Sequence, residues 1–182
     1  MTRLELPDLR LHDSWQAAML DFGDEEVHGS GWWHRPEAER RDFTREGCAR
    51  FVEQLLSYAD RDQALPEGMV HCDYYWITDG EPGEVVGFLA IRHELNAFLL
   101  EEGGHIGYSV CPAHRRQGHA TRALGLAVRR ASELGLERVL VTCDVDNLPS
   151  AATILGNGGV LEDARLGKQR YWIDTGAGHS GR

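Results

Sequence analysis

The stretch Gly103–Thr121, GGHIGYSVCPAHRRQGHAT, constrains this chain more than any other. Ile106, Tyr108 and Val110 alternate with His105, Gly107 and Ser109, the two-residue period of a strand. Pro112 has no N–H to give a ladder, so the strand ends there. After Arg115-Arg116-Gln117-Gly118-His119, the residues Ala120, Ala123, Leu124, Ala127, Val128, Ala131 and Leu134 recur three or four apart and share one helical face. Arg122, Arg129 and Glu133 fall on the other face. A helix N-terminus leaves backbone N–H groups without partners and carries partial positive charge. Gly118 lets a ligand approach the backbone, Ala120 keeps the next turn small, and Arg115 and Arg116 add charge. Such a turn suits a diphosphate.

Charge sharpens the point. Nineteen basic residues against 29 acidic ones give a net charge of −10, which argues against nucleic acid as a partner. An anionic ligand must then be held by local charge, from Arg115, Arg116 and Arg122. Cys48, Cys72, Cys111 and Cys143 are far apart and form no C-x-x-C pair, so they read as reduced thiols of a cytoplasmic protein. No histidines stand at H-x-x-x-H spacing, and no metal site is expected. No run reaches the ~18 apolar residues of a membrane span. MTRLELPDLRLHDSW lacks the apolar core of a signal peptide.

The 182 residues are read as one domain over 1–174 and a disordered tail over 175–182. A short strand is expected within 3–11, then a helix capped by Asp13 or Ser14 and running to about Phe22. Residues 24–36 have no periodicity and read as a loop able to form a binding wall. Thr44 caps a second helix. Val70–Thr78 and Glu84–Arg92 form an antiparallel hairpin, and 93–100 is a helical turn or an irregular crossover. The helix from Gly118 stops near Gly135. The apolar strand Arg138–Cys143 should lie parallel to 103–110, since strand, helix, strand makes a crossover. Ser150 opens a short helix, and 160–165 with 170–174 closes the chain as a hairpin.

Arg115-x-x-Gly118-x-Ala120 resembles the Q/R-x-x-G-x-G/A signature of the GNAT N-acetyltransferases. A second motif, Thr142-Cys143-Asp144 with Asn147, Ser150 and Asn157-Gly158-Gly159, follows as in that family, and the resemblance covers roughly residues 70–174. It implies an α/β (α+β) GNAT fold. That fold is a mixed, mostly antiparallel sheet of six to seven strands with helices on both faces. Its parallel strands, here 103–110 and 138–143, splay apart around the pantetheine arm of acetyl-CoA. By the resemblance, backbone N–H groups of Arg116, Gln117, Gly118, His119, Ala120 and Thr121 hold the diphosphate, with Arg115 beside it. Ser109 and Val110 bond the pantetheine arm, and the Val110 N–H is the donor to the thioester oxygen. A fixed donor there stabilises the oxyanion by a few kcal/mol, on the order of 3. Asn147 is implied as a ligand of the arm or as the start of an Asx-turn, and Ser150 as a ligand contact or a helix cap.

One departure matters: the family's tyrosine seven residues after Asn147 is Ile154 here. Either Tyr108 or Tyr171 protonates the leaving thiolate, or it leaves unprotonated, which a thiol pKa of about 8.5 tolerates. Attack on the thioester needs a neutral amine, and a lysine-like amine has a pKa of about 10.4, so a base helps. His105 is the first candidate, at what resembles the place of a glutamate base in histone-acetylating relatives; its alternative is a buried histidine bonded to a neighbouring strand. Asp144 is the second candidate. His93 and Glu94 come third, as base or as acceptor ligands, and Glu25, Glu26 and His28 would bind the acceptor. The resemblance implies transfer of an acetyl group from acetyl-CoA to a primary amine of a small molecule or peptide, with a homodimer as a family habit. A second reading is a non-catalytic acetyl-CoA-binding sensor. A phosphotransferase is disfavoured, since no G-K-[ST] follows the turn.

Overall fold

The computed structural model describes residues 1–177, with seven strands in two sheets. The first sheet has the order β1 (Arg3–Glu5), β2 (Cys72–Asp79), β3 (Glu84–Arg92), β4 (Ile106–Val110), all antiparallel. The second is formed by β5 (Arg138–Asp144), β6 (Val160–Arg165) and β7 (Lys168–Asp174), with β7 in the middle. Four α-helices pack on them: α1 (His12–Phe22), α2 (Arg45–Ser57), α3 (His119–Glu133) and α4 (Leu148–Leu155).

β2 and β3 are buried on both faces, and their alternation feeds two cores. Tyr74, Trp76, Phe88 and Ala90 point to α1 and α2, where they meet Trp15, Phe51 and Leu55; Trp15 stacks on Trp76 at 6.3 Å. Tyr75, Ile77, Leu89 and Ile91 point the other way, to Ala123, Leu124, Ala127 and Ala131 of α3. That row of alanines lets α3 lie close against the sheet, and all three are fully buried. Thr44 caps α2 as expected, its Oγ1 accepting from the Gly47 N–H at 3.0 Å. α1 starts at His12 behind Leu11, two residues earlier than a cap at Asp13 and three earlier than a cap at Ser14 would place it, and Ser14 uses its Oγ to accept from the Val85 N–H at 2.7 Å. Segment 93–104 ends in a wide helical turn, Leu99–Gly103. α4 opens at Leu148 rather than Ser150, since Asn147 supplies the cap by accepting from the Ser150 N–H at 3.1 Å. Thr175 is not part of a loose tail: its N–H donates to the Glu137 carbonyl at 3.0 Å. Residues 178–182 of the expected tail lie outside the described residues.

The expected single mixed sheet is divided between β4 and β5. The two strands flank the α3 crossover but share no ladder. Their backbones bond where β4 begins. The His105 N–H donates to the Leu140 carbonyl at 2.7 Å, and the Leu140 N–H donates to His105 Nδ1 at 2.9 Å. Gly104, at φ +64, makes the bend: a Cβ there would stand 2.6 Å from the Leu140 oxygen. The loop after α1 then crosses β4, and Gly29, at φ +78, passes so close that a Cβ would stand 2.3 Å from the Gly107 oxygen.

Gly29→Ala therefore combines a clash with a left-handed conformation that costs about 1–2 kcal/mol by itself. Urea denaturation should show at least that loss; an unchanged midpoint would contradict the crossing of this loop over β4.

Candidate active site

Hydrogen-bond parity decides what the two facing edges offer. In an antiparallel pair, every second residue bonds its partner strand and the others turn their backbone groups outward. The Arg92 N–H donates to the His105 carbonyl and the Cys111 N–H to the Val86 carbonyl, at 2.8 and 2.9 Å. With Gly87 opposite Val110, this makes Gly107 and Ser109 the bonded residues of β4. Ile106, Tyr108 and Val110 therefore turn their N–H and C=O groups away from β3, towards β5. The same reasoning applies to β5. The Thr175 N–H bonds the Glu137 carbonyl and the Val145 N–H bonds the Gly167 carbonyl, both at 3.0 Å, so Leu140, Thr142 and Asp144 turn outward towards β4. Past the His105–Leu140 contact, two rows of backbone donors and acceptors thus face each other without bonding across the gap. Ser109, expected to contact the pantetheine arm, has its backbone committed to Phe88.

Beyond β4, Cys111 leads into a short turn and then Gly118, which caps α3 at φ +79. The first helical bond, from the Arg122 N–H to the Gly118 carbonyl, measures 3.1 Å. The N–H groups of His119, Ala120 and Thr121 precede it and have no intrahelical acceptor. Arg116, also at positive φ (62°), is exposed. Arg122 folds under the turn: its NH2 donates to the Gln117 carbonyl at 2.7 Å, and its NH1 lies 2.7 Å from where a Cβ on Gly118 would stand. Thr2 holds this arginine through Oγ1 at 2.8 Å and sits 3.0 Å from His119 Nδ1. The His119 ring is buried, so only its backbone faces outward. Arg115 donates from Nε to the Val110 carbonyl at 3.1 Å and pairs with Glu25 of the loop after α1. Asn157 closes the far side by donating to the Thr121 carbonyl at 3.2 Å.

A cleft of about 1340 Å³ lies over the gap. Tyr108, Thr142, Asp144, Asn147 and Ser150 line it on the strand side, and Glu25, Glu26, His28, His34, Tyr74 and Arg92 line it elsewhere. The Tyr108 hydroxyl lies 2.9 Å from Ser150 Oγ, and burial raises the phenol pKa to about 12. Asp144 accepts from Lys168 Nζ at 2.5 Å. His34 Nε2 lies 2.7 Å from the Tyr74 hydroxyl; burial, with Arg92 nearby, pushes this histidine down to about 4.

Two expectations fail on geometry. His105 does not reach the cleft as a base. Its Nδ1 accepts from the Leu140 N–H, its ring is buried beside Trp172, and burial and Arg92 push it down to about 4. The alternative reading of a histidine bonded to a neighbouring strand is the one realised. His93 and Glu94 also lie away from the cleft, around a small separate pocket. His93 Nε2 donates to buried Asp73 at 2.8 Å, and Asp73 is held in turn by Tyr75 and Arg130. Sequence reasoning passed over Arg92 and the His34–Tyr74 pair. The only signal for Arg92 was a charge ending an otherwise apolar strand.

The anion-binding turn and the open strand edges fit a diphosphate joined to an arm of amides. Residues 25–155 match the Acetyltransferase (GNAT) family. The chain belongs to that family, and acetyl-CoA is its acetyl donor. None of the curated proteins matches the sequence. Among solved structures, the fold resembles Mycobacterium smegmatis RimJ in complex with CoA-disulfide, with a TM-score of 0.66 and 18% identity over 100% of this chain and 84% of that one. It resembles the microcin C7 self-immunity acetyltransferase MccE, in complex with acetyl-CoA and AMP, with a TM-score of 0.63 and 16% identity over 95% and 92%. A third likeness is to the ribosomal-protein-S5-alanine acetyltransferase of Vibrio fischeri, with a TM-score of 0.65 and 15% identity over 94% and 90%.

The buried histidines carry a pH prediction. A histidine neutral in the fold and protonated when unfolded contributes fully above about pH 6.5, and the contribution is lost as pH falls towards 4. Urea denaturation at pH 7 and pH 5 should show stability falling with acid by up to ~1.4 kcal/mol per pH unit for each such group. His105→Gln should show a shallower fall; equal slopes would remove His105 from this account.

Proposed function

We propose that the chain acetylates a primary amine of a small molecule or short peptide by direct transfer from acetyl-CoA, within the cleft between β4 and β5. The observation that carries this reading is the pair of unpaired strand edges leading to the Gly118 turn. The N–H groups of Gly118–Thr121, with Arg116 and Arg122, hold the diphosphate. Tyr108 and Val110 on one edge, and Thr142 and Asp144 on the other, bond the arm. The Val110 N–H is the fixed donor to the thioester oxygen, an arrangement worth roughly 3 kcal/mol where charge develops. Asn147 orients Ser150 by capping α4 and keeps its amide N–H groups for the arm.

Proton movement falls to two groups. Tyr108, relayed to Ser150, supplies the proton for the departing sulfur. This is the place the family fills with the tyrosine that is Ile154 here. A phenol with a pKa near 12 stays protonated at neutral pH and is ready to donate. Asp144, held by Lys168 at the open end of the gap, takes the proton of the incoming amine. Glu26 and His28, 3.7 Å apart on the loop after α1, form part of the acceptor wall.

Gly118→Asp should abolish acetyl-CoA binding in calorimetry, by filling the space under Arg122 and repelling phosphate; retained affinity would overturn the diphosphate assignment. Tyr108→Phe and Asp144→Asn should each lower kcat roughly 100-fold with little change in acetyl-CoA affinity. Full activity in either variant would remove that residue from proton transfer. Binding without turnover of any amine would instead favour a sensor.

A further inference from the structure

Arg92 ends β3 and lines the cleft. Its NH1 donates to the carbonyls of Gly103 and Gly104, both at 3.1 Å, which fixes the guanidinium and leaves Nε and NH2 without a protein acceptor among the described residues. It is half-buried and makes no ion pair there. None of the acids that line the cleft, Asp24, Glu25, Glu26, Glu37, Glu102 and Asp144, is paired with Arg92. Asp144 is bonded to Lys168, Glu25 is paired with Arg115, Glu26 faces His28, and Glu102 makes no ion pair with Arg92. His34, also beside this arginine, is neutral and bonded to Tyr74. In a chain of net charge −10, a half-buried cation held only by two carbonyls keeps its charge available to an anionic ligand.

The position of this charge limits what can offset it. The guanidinium nitrogens lie 3.6 and 3.7 Å from where a Cβ on Gly107 would stand, and the Gly29 backbone N is as close at 3.6 Å, which places this charge beside Gly107 next to the loop that crosses β4. Val110 is three residues further along β4, about 10 Å at strand spacing. An acceptor whose amine meets the thioester beside Val110 therefore brings atoms roughly 5–10 Å from that amine to Arg92.

We propose that Arg92 is a specificity-determining residue that binds a carboxylate of the acceptor. The acceptor is then an amine with a carboxylate about two residue-lengths away, either an ω-amino acid or a dipeptide. This rests on the transfer reading above. Nε and NH2 give the two parallel donors that a carboxylate accepts.

The test measures kcat/KM for two matched pairs, ε-aminocaproate with its amide and dialanine with its C-terminal amide, on wild type and Arg92→Gln. Acetyl-CoA binding is checked for both proteins. The acid should be preferred roughly 10- to 100-fold in at least one pair on wild type, and the pair that shows it identifies the source. The preference should fall to near unity in Arg92→Gln. If that variant does not fold, the wild-type ratios decide alone. Equal rates for acid and amide overturn the Arg92 subsite and leave acetyl transfer standing. No turnover of any of the four compounds, with acetyl-CoA bound, overturns the Arg92 subsite and leaves transfer to another class of amine standing.

Discussion

The reciprocal hydrogen bonds between His105 and Leu140 are the joint on which this fold turns. They are where the backbones of the two antiparallel sheets bond each other among the described residues. A single continuous sheet would spend the backbone groups of β4 and β5 on each other. Here those groups do not bond each other and line a cleft, where a ligand that bonds them gains more as it excludes water. An arm of amides is such a ligand. The joint thus creates the site, and the histidine that makes it is a structural element rather than a base.

The same economy of position governs the acid. Ile154 is fully buried against the α3 core, so α4 cannot present a hydroxyl to the gap from that position. In the reaction we propose, the hydroxyl is that of Tyr108 across the gap, which bonds Ser150 in the first turn of α4. Asn147 sets that first turn by capping the helix. The cofactor turn is likewise built from afar: Thr2, next to the strand that starts the sheet, holds both Arg122 and His119 beneath Gly118.

Local features of the site were legible in the sequence. Alternation along β4, the proline stop, Gly118 and the alanine stripe of α3 are all set by short-range periodicity and turn chemistry. So was the cap at Thr44. What was not legible depends on contacts between distant segments. Periodicity puts His105 on a strand but does not say that Leu140 occupies its Nδ1. It gives two strands beside one helix but not their separation. His93 and Glu94 follow β3 directly, as the acceptor wall was expected to do. Yet Asp73, from the start of β2, draws His93 out of the cleft. Arg92, one residue earlier, is the side chain that remains in it.

Alternate amides of β4 bond no neighbouring strand and stand open to acetyl-CoA. Residue-resolved amide hydrogen exchange by NMR tests this directly. Without ligand, Tyr108 and Val110 should exchange faster than Gly107 and Ser109, which bond β3. With acetyl-CoA bound, Val110 should slow markedly while Gly107 and Ser109 stay as they were. Slow exchange at Val110 in the free protein, or exchange there that acetyl-CoA leaves unchanged, would contradict the account.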